Sequence, residues 1–288
     1  MPEQFFLSVE GPALLIHGGA GSFDPASPAS AKRKAFLERL VERLWARLRD
    51  GQPAIEVVYE AVFALESCGL FNAGLGACLQ RDGLARLSAA LMDGERQRFS
   101  GVQLVTHLLH PSQLARALQD RAESVLGPFG AQLLARELGI EPQLPLTPER
   151  ARLWLRQLEA DVLADAGGTV GAVARDRDGR LAAATSTGGG RGNGPERMSD
   201  SATVAGTYAS RQAAISCTGI GEQIVDEGLA VRIETLLGEG RALESLCARL
   251  LQSALVRQRR YGWIVLDCNG ALGCYACEQL YWAGRWAD

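Results

Sequence analysis

Nowhere in this chain does an apolar run approach the roughly 20 residues that a membrane-spanning helix needs. Residues 1–12 have neither a basic start nor an apolar stretch of export-signal length, which sets the expectation of a cytoplasmic protein. Histidine is scarce: His17, His107 and His110 are the whole supply. Cys274-x-x-Cys277 has metal or redox spacing, but no second pair and no histidine cluster completes a site around it. Half a zinc site, a redox pair and two small buried residues all stand as readings, and the odd total of seven cysteines favours reduced thiols. Neither sign of charge is in surplus. A net charge of −3 gives no electrostatic case for nucleic acid or an anionic membrane as partner. His17-Gly18-Gly19-Ala20-Gly21 lacks both the G-K-[ST] ending and the G-x-G-x-x-G spacing of nucleotide cradles. It reads instead as a tight turn that lets backbone approach another element closely. Internal repeats and flexible linkers are also absent.

What is present is the composition of a globular protein, 47% hydrophobic and 22% charged, with 33 glycines gathered at strand ends. The centre of the chain is the most organised part. Gly167 and Gly168 end a helical segment, Thr169 follows, and Val170 to Ala174 then form an apolar β run. Asp178-Gly179 is a hairpin signal, and Leu181 to Thr187 make the return strand, which enters Gly188-Gly189-Gly190. Two readings fit Thr169. It is an ordinary strand threonine, or it is a nucleophile exposed by cleavage of the Gly168–Thr169 bond. A threonine hydroxyl needs a base, and a freed α-amine on the same residue can serve.

Periodicity places the other elements. Ala13 to Ile16 reads as a buried strand, with a cap at or near Ser30 and a helix over Lys32 to Arg49. A second helix opens at Pro53, an irregular loop covers Glu66 to Leu75, and strands cover Leu87 to Leu91 and Val102 to Leu109. Helices follow from Pro111, over Ala131 to Leu138, and over Pro148 to Asp165 as the connector to Gly167. Later come strands over Ala202 to Ala209 and Ala213 to Cys217, helices over Glu222 to Leu237 and Leu243 to Val256, a strand over Trp263 to Leu266, and one final short strand. Hairpins flanked by helix pairs imply an α+β fold: two sheets face to face, covered by helices, in one unit spanning residues 1–288.

Seven segments, in order, carry a resemblance. They are His17-Gly18-Gly19-Ala20-Gly21, Phe71-Asn72-Ala73-Gly74-x-Gly76, Met92-Asp93-Gly94, Gly168 to Ala174, Ala183 to Gly189, Arg197-x-x-Asp200-Ser201, and Cys217-Thr218-Gly219-x-Gly221-Glu222. Together the chain resembles the plant-type asparaginases, or isoaspartyl peptidases, which are N-terminal-nucleophile hydrolases. The resemblance implies a four-layer αββα sandwich and self-cleavage into fragments 1–168 and 169–288. It also implies a homodimer of αβ units acting on L-asparagine or β-aspartyl dipeptides. Thr169 matches the nucleophile, Thr187 the threonine that contacts it, and Asn72 an asparagine that helps position it. Thr218 and Gly219 match the oxyanion hole, and Arg197 and Asp200 match the residues that hold the substrate α-carboxylate and α-ammonium. The loop containing Glu66 and Phe71 matches one that binds a structural sodium through backbone carbonyls; no other cofactor is implied.

The chain departs from the family pattern at several points. Arg86 to Leu91, with Ser88, replaces an Asp-Ala-Ser run; Gly167 stands where histidine is common; Ser199 and Ala202 replace a glycine and a proline. The segment around Ala205 to Tyr208 is one residue short, and the Cys274 to Trp286 tail lacks an Asn-Thr-x-Gly-Met ending. These changes surround the named groups and leave open a glycosylasparagine or other amide as substrate, and an uncleaved scaffold as the role.

Overall fold

The computed structural model describes residues 2–160, 168–190 and 192–287. The expected connector helix is therefore seen over Pro148–Ala160 (α5), while its continuation to Asp165, and Gly167, lie outside the described residues.

Two sheets carry the fold. The larger has seven strands: β2 (Ala13–Gly21), β3 (Leu87–Asp93), β4 (Arg98–Val105), β5 (Val125–Leu126), β6 (Val170–Arg175), β7 (Leu181–Thr187) and β12 (Gln279–Trp286). Their spatial order is β12-β2-β6-β7-β3-β4-β5, antiparallel except for the short β4–β5 pair. The smaller has the order β1-β11-β10-β9-β8, from β1 (Glu3–Ser8), β8 (Thr207–Ala209), β9 (Ala213–Gly219), β10 (Tyr261–Asp267) and β11 (Ala271–Ala276).

The two-residue period of a strand divides its side chains between two faces, and here both faces are buried. On one face of the large sheet, Leu14, Ile16, Val170, Ala172, Ala174 and Ala184 pack under α1 (Pro28–Arg49) and α2 (Ala54–Ser67). The alternate residues Ala13, Leu15, Val173 and Ala183 share a second core with Ile264, Leu266, Leu272 and Cys274 of the small sheet. The far face of the small sheet, with Ile215, Cys217, Trp263 and Tyr275, packs under α7 (Leu229–Gly238) and α8 (Leu243–Val256). Helices α3 (Pro111–Leu118) and α4 (Pro128–Glu137) extend the helical cover over β4. The α+β class and the sheet-on-sheet core follow the sequence expectation. The two thiols of Cys274-x-x-Cys277 fall in different cores, so the redox-pair reading is lost.

Several expectations change, and the strand expected over Val102 to Leu109 is displaced to Arg98–Val105. The helix expected over Glu222 to Leu237 breaks at Gly228, whose φ of 53° is left-handed, into α6 (Gly221–Glu227) and α7. The strand expected over Ala202 to Ala209 is a turn until Thr207, tied by bonds from Thr203 N to Asp200 O and from Gly206 N to Thr203 O. These two corrections have one cause: the carbonyls of Val204 and Ala205 accept the first-turn amides Val231 N and Ala230 N, which α7 cannot satisfy internally. The final short strand is two strands, β11 and β12. The cap of α1 is Ser27, which accepts from Ser30 N at 3.2 Å.

Candidate active site

The register that pairs Val170 with Ser186 carries the preceding Thr169 alongside Thr187. Both are buried, at 4% and 1% exposure, and their hydroxyl oxygens lie 3.3 Å apart. Gly168, just before Thr169, is nested against the end of β2. A Cβ built on Gly19 would lie 2.5 Å from the Gly168 Cα, and one on Gly168 would lie 2.6 Å from the Gly19 Cα. Gly19 also has φ of 113°, a conformation open to glycine. The expected close backbone approach at the glycine-rich turn is thus an approach to the residue ahead of Thr169.

Thr218 is the penultimate residue of β9 (Ala213–Gly219). Its hydroxyl donates to the Thr169 carbonyl at 3.2 Å and accepts from Ala20 N at 3.2 Å. Gly219 follows with φ of 132°. Asn72 lies on the other side. Its amide Nδ2 donates to Gly189 O at 2.5 Å and its Oδ1 accepts from Cys78 N at 2.7 Å, while Gly188 N donates to its backbone carbonyl at 3.0 Å. Gly189 N in turn donates to the Thr187 hydroxyl at 3.1 Å. Asn72 therefore shapes the turn that holds Thr187.

Three residues past Thr218, Gly221 opens α6 and marks where Arg197 and Asp200 converge. A Cβ there would lie 2.5 Å from Arg197 Nη2 and 2.6 Å from Asp200 Oδ1. Asp200 is 3% exposed; Ser199 donates to its Oδ1 at 3.2 Å, and its Oδ2 is buried without a hydrogen-bond partner. Burial pushes its pKa up to about 6, with the Arg197 charge and the Ser199 hydroxyl working against that shift. Arg197 donates from Nε and Nη2 to the two carboxylate oxygens of Glu222, each at 2.7 Å. This edge-on pairing leaves the Nη1 donors for another acceptor. The Arg197 fork holds the Glu222 carboxyl below its usual range.

Glu66 is fully buried, and its side chain is spent on neighbours: Oε1 accepts from Ser186 Oγ at 2.6 Å and Oε2 from Ser112 Oγ at 2.6 Å. Only its carbonyl is left to face the following loop. The Glu66 carbonyl lies against Gly74, where an added Cβ would meet its oxygen at 2.3 Å, and the Phe71 and Gly69 carbonyls lie against Gly76, where one would meet the Phe71 oxygen at 2.1 Å. Ser88 accepts from Leu104 N at 3.2 Å at a register shift in β3.

Sequence reasoning assigned no role to Glu222, to the Glu66 side chain or to His17. Glu222 lies 25 positions from Arg197 and no local spacing announces the pair. His17 appears in sequence as the start of a turn, yet its Nε2 lies 2.9 Å from the Ser216 hydroxyl between the two sheets. Its burial was the available signal, since it ends an unbroken apolar run.

Comparison with known proteins gives concordant results. A family model described as asparaginase matches residues 10–287. The isoaspartyl peptidase/L-asparaginase of Synechocystis sp. is 39% identical over 273 residues, which cover 90% of this chain and 83% of that protein. The isoaspartyl peptidase of Escherichia coli is 39% identical over 297 residues, covering 95% of this chain and 92% of that protein. The plant-type L-asparaginase of Pyrobaculum calidifontis is 38% identical over 274 residues, covering 90% of this chain and 89% of that protein.

Proposed function

The chain belongs to the asparaginase family, and on that premise we propose that it is a self-processing amidohydrolase of L-asparagine and β-aspartyl dipeptides with Thr169 as nucleophile. The observation that carries this reading is the placement of Thr169, with its hydroxyl against Thr187, its carbonyl on Thr218 and Gly168 pressed onto Gly19.

Breaking the Gly168–Thr169 peptide frees an α-amine that takes the proton as Thr169 Oγ attacks the side-chain amide carbonyl. Charge then develops on the carbonyl oxygen. The Thr218 hydroxyl, turned from the Thr169 carbonyl, and the Gly219 N–H serve as its donors, each worth roughly 3 kcal/mol in such a role. The amine product leaves with a proton, and water releases aspartate from the acyl-enzyme. Arg197 offers Nη1 to the substrate α-carboxylate, and the unpartnered Asp200 Oδ2 accepts from the α-ammonium. Holding both ends of the aspartyl head fixes the amide before the nucleophile.

The layering of helices and sheets is consistent with a four-layer αββα sandwich forming one domain, with fragments 1–168 and 169–288 remaining together and pairing into a homodimer of αβ units. The backbone carbonyls of Glu66 and Phe71, packed onto Gly74 and Gly76 of the same loop, are hard oxygen donors of the kind a monovalent cation such as sodium takes, which would hold the loop ahead of Asn72. Seven free cysteines agree with a reducing cytoplasm. Mass spectrometry of the purified protein tests the central claim. A fragment beginning at Thr169 is expected, and Thr169→Ala should remain one chain and release no ammonia from asparagine. An intact wild-type chain that still turns over asparagine would overturn it.

A further inference from the structure

Arg197 and Asp200 stand close together and yet do not pair. A Cβ on Gly221 would lie 2.5 Å from Arg197 Nη2 and 2.6 Å from Asp200 Oδ1, which puts those two atoms within about 5 Å of each other. Asp200 Oδ2 is buried without a hydrogen-bond partner, while the guanidinium spends its ion pair on Glu222. We propose that Glu222 is a positioning residue: it holds Arg197 by the Nε–Nη2 edge, keeps the guanidinium off Asp200, and so leaves both groups open to the zwitterionic head of the substrate. The proposal deepens the reading of Arg197 and Asp200 as the head-group contacts and rests on it.

Left alone, a guanidinium and a buried carboxylate this close would close up, because the bare acceptor is a cost to the fold and attraction is strong where water is excluded. Glu222 opposes this by geometry. Its two oxygens accept from Nε and Nη2, each at 2.7 Å, and the guanidinium is planar, so turning it toward Asp200 would break both bonds at once. What remains is Nη1 and the outer Nη2 proton, a second parallel pair of donors that suits the substrate carboxylate.

The Glu222 side chain is 62% exposed and that of Arg197 20%, so the pair adds little to the stability of the fold; its effect is on direction. The Arg197 fork in turn keeps the Glu222 carboxyl below its usual range, and therefore ionised. Glu222 also lies three residues past Gly219, so one short segment carries both the oxyanion donor and the group that orients the head-group contact. A carboxylate that merely stood in for the substrate's would give way on binding, and its removal would tighten binding instead of weakening it.

Glu222→Gln tests this at nearly unchanged size, since an amide offers one acceptor and sets its NH2 against the other guanidinium donor. Calorimetry with L-aspartate should show Kd raised about 10-fold, and KM for asparagine should rise alike with kcat within about threefold. The groups facing Asp200 are Arg197, Glu222, the Ser199 hydroxyl and the buried Cys217 thiol. With Glu222 neutral and Arg197 turned onto it, Asp200 should ionise at lower pH and carry the acid limb of kcat/KM down with it. Thermal melts at pH 8 supply a readout without turnover. Asp200→Asn should raise Tm by roughly 5 °C in the otherwise wild-type protein, and should give no rise in Glu222→Gln, where it removes a paired carboxylate. A protein inert toward asparagine would sink the hydrolase reading, and the melts would still decide this one. Tighter L-aspartate binding by Glu222→Gln overturns the proposal, and so does the same change in Tm from Asp200→Asn in both backgrounds.

Discussion

Asp200 sets burial against charge. Its carboxyl has lost its water, and the Arg197 guanidinium and Ser199 hydroxyl recover only part of what hydration supplied, so the folded pKa lies near 6. A carboxylate that holds the substrate ammonium must be ionised, so kcat/KM is expected to fall as pH drops below about 6. A profile flat down to pH 5 would remove Asp200 from that role. Stability runs the other way. Because the folded pKa is raised, the native state binds the proton more tightly than the unfolded chain, and stability is lost as pH rises through about 6. Asp200→Asn is therefore expected to stabilise the ligand-free protein at pH 8, by up to about 3 kcal/mol, and hardly at all near pH 4, while abolishing turnover. Thermal melts at the two pH values read this. For Arg197, replacement by Ala should lower kcat/KM by about two orders of magnitude, the loss of its charged contact to the substrate carboxylate together with the fork that holds Glu222. Lys should recover little, since an ammonium cannot fork. At this scale Arg197 and Asp200 were singled out by the resemblance, and the structure brings their side chains together at Gly221. The sequence was silent on the Glu222 pairing and on the raised Asp200 pKa, because both depend on how closely the Arg197 and Asp200 side chains pack onto Gly221 and Asp200 onto Gly206.

Among the elements, β2 and β6 position the site, and the contact between Gly19 and Gly168 ties one to the start of the other. Gly19→Ala faces both a left-handed φ and a Cβ 2.5 Å from the Gly168 Cα. It is expected to slow or abolish cleavage, whereas Gly21→Ala meets no atom within 4 Å and tests the conformational strain alone. Time-resolved gel analysis of fragment appearance separates the two; equal rates would show that the close approach is immaterial. The central strands and most helices could be read from apolar periodicity because each has a buried face to fill, whereas β1 and β5, partly exposed at the sheet edges, carried no such signal. The exceptions are instructive. Gly228 looks tolerable inside an amphipathic stretch, and Ala202 to Gly206 looks apolar enough for a strand. Only the pairing of Ala205 O and Val204 O with the start of α7 decides both, and that pairing joins segments some 25 residues apart.

For the whole molecule, the strand order has a consequence for the processed protein. In the large sheet, β2 precedes the cut and lies between β12 and β6, which follow it; β7 then abuts β3, again from the other side of the cut. In the small sheet, β1 is the one strand contributed by the first piece. Scission at Gly168 would thus make two polypeptides that are woven through each other, like fingers of two hands. Neither half keeps a closed sheet without its mate: β2 alone would expose both edges, a known route to aggregation. The processed protein should melt in a single transition, and halves expressed apart should fail to regain turnover on mixing. Maturation by this route would be a one-way act, in which the ancestry of the assembly as a single thread is what allows it to exist as two.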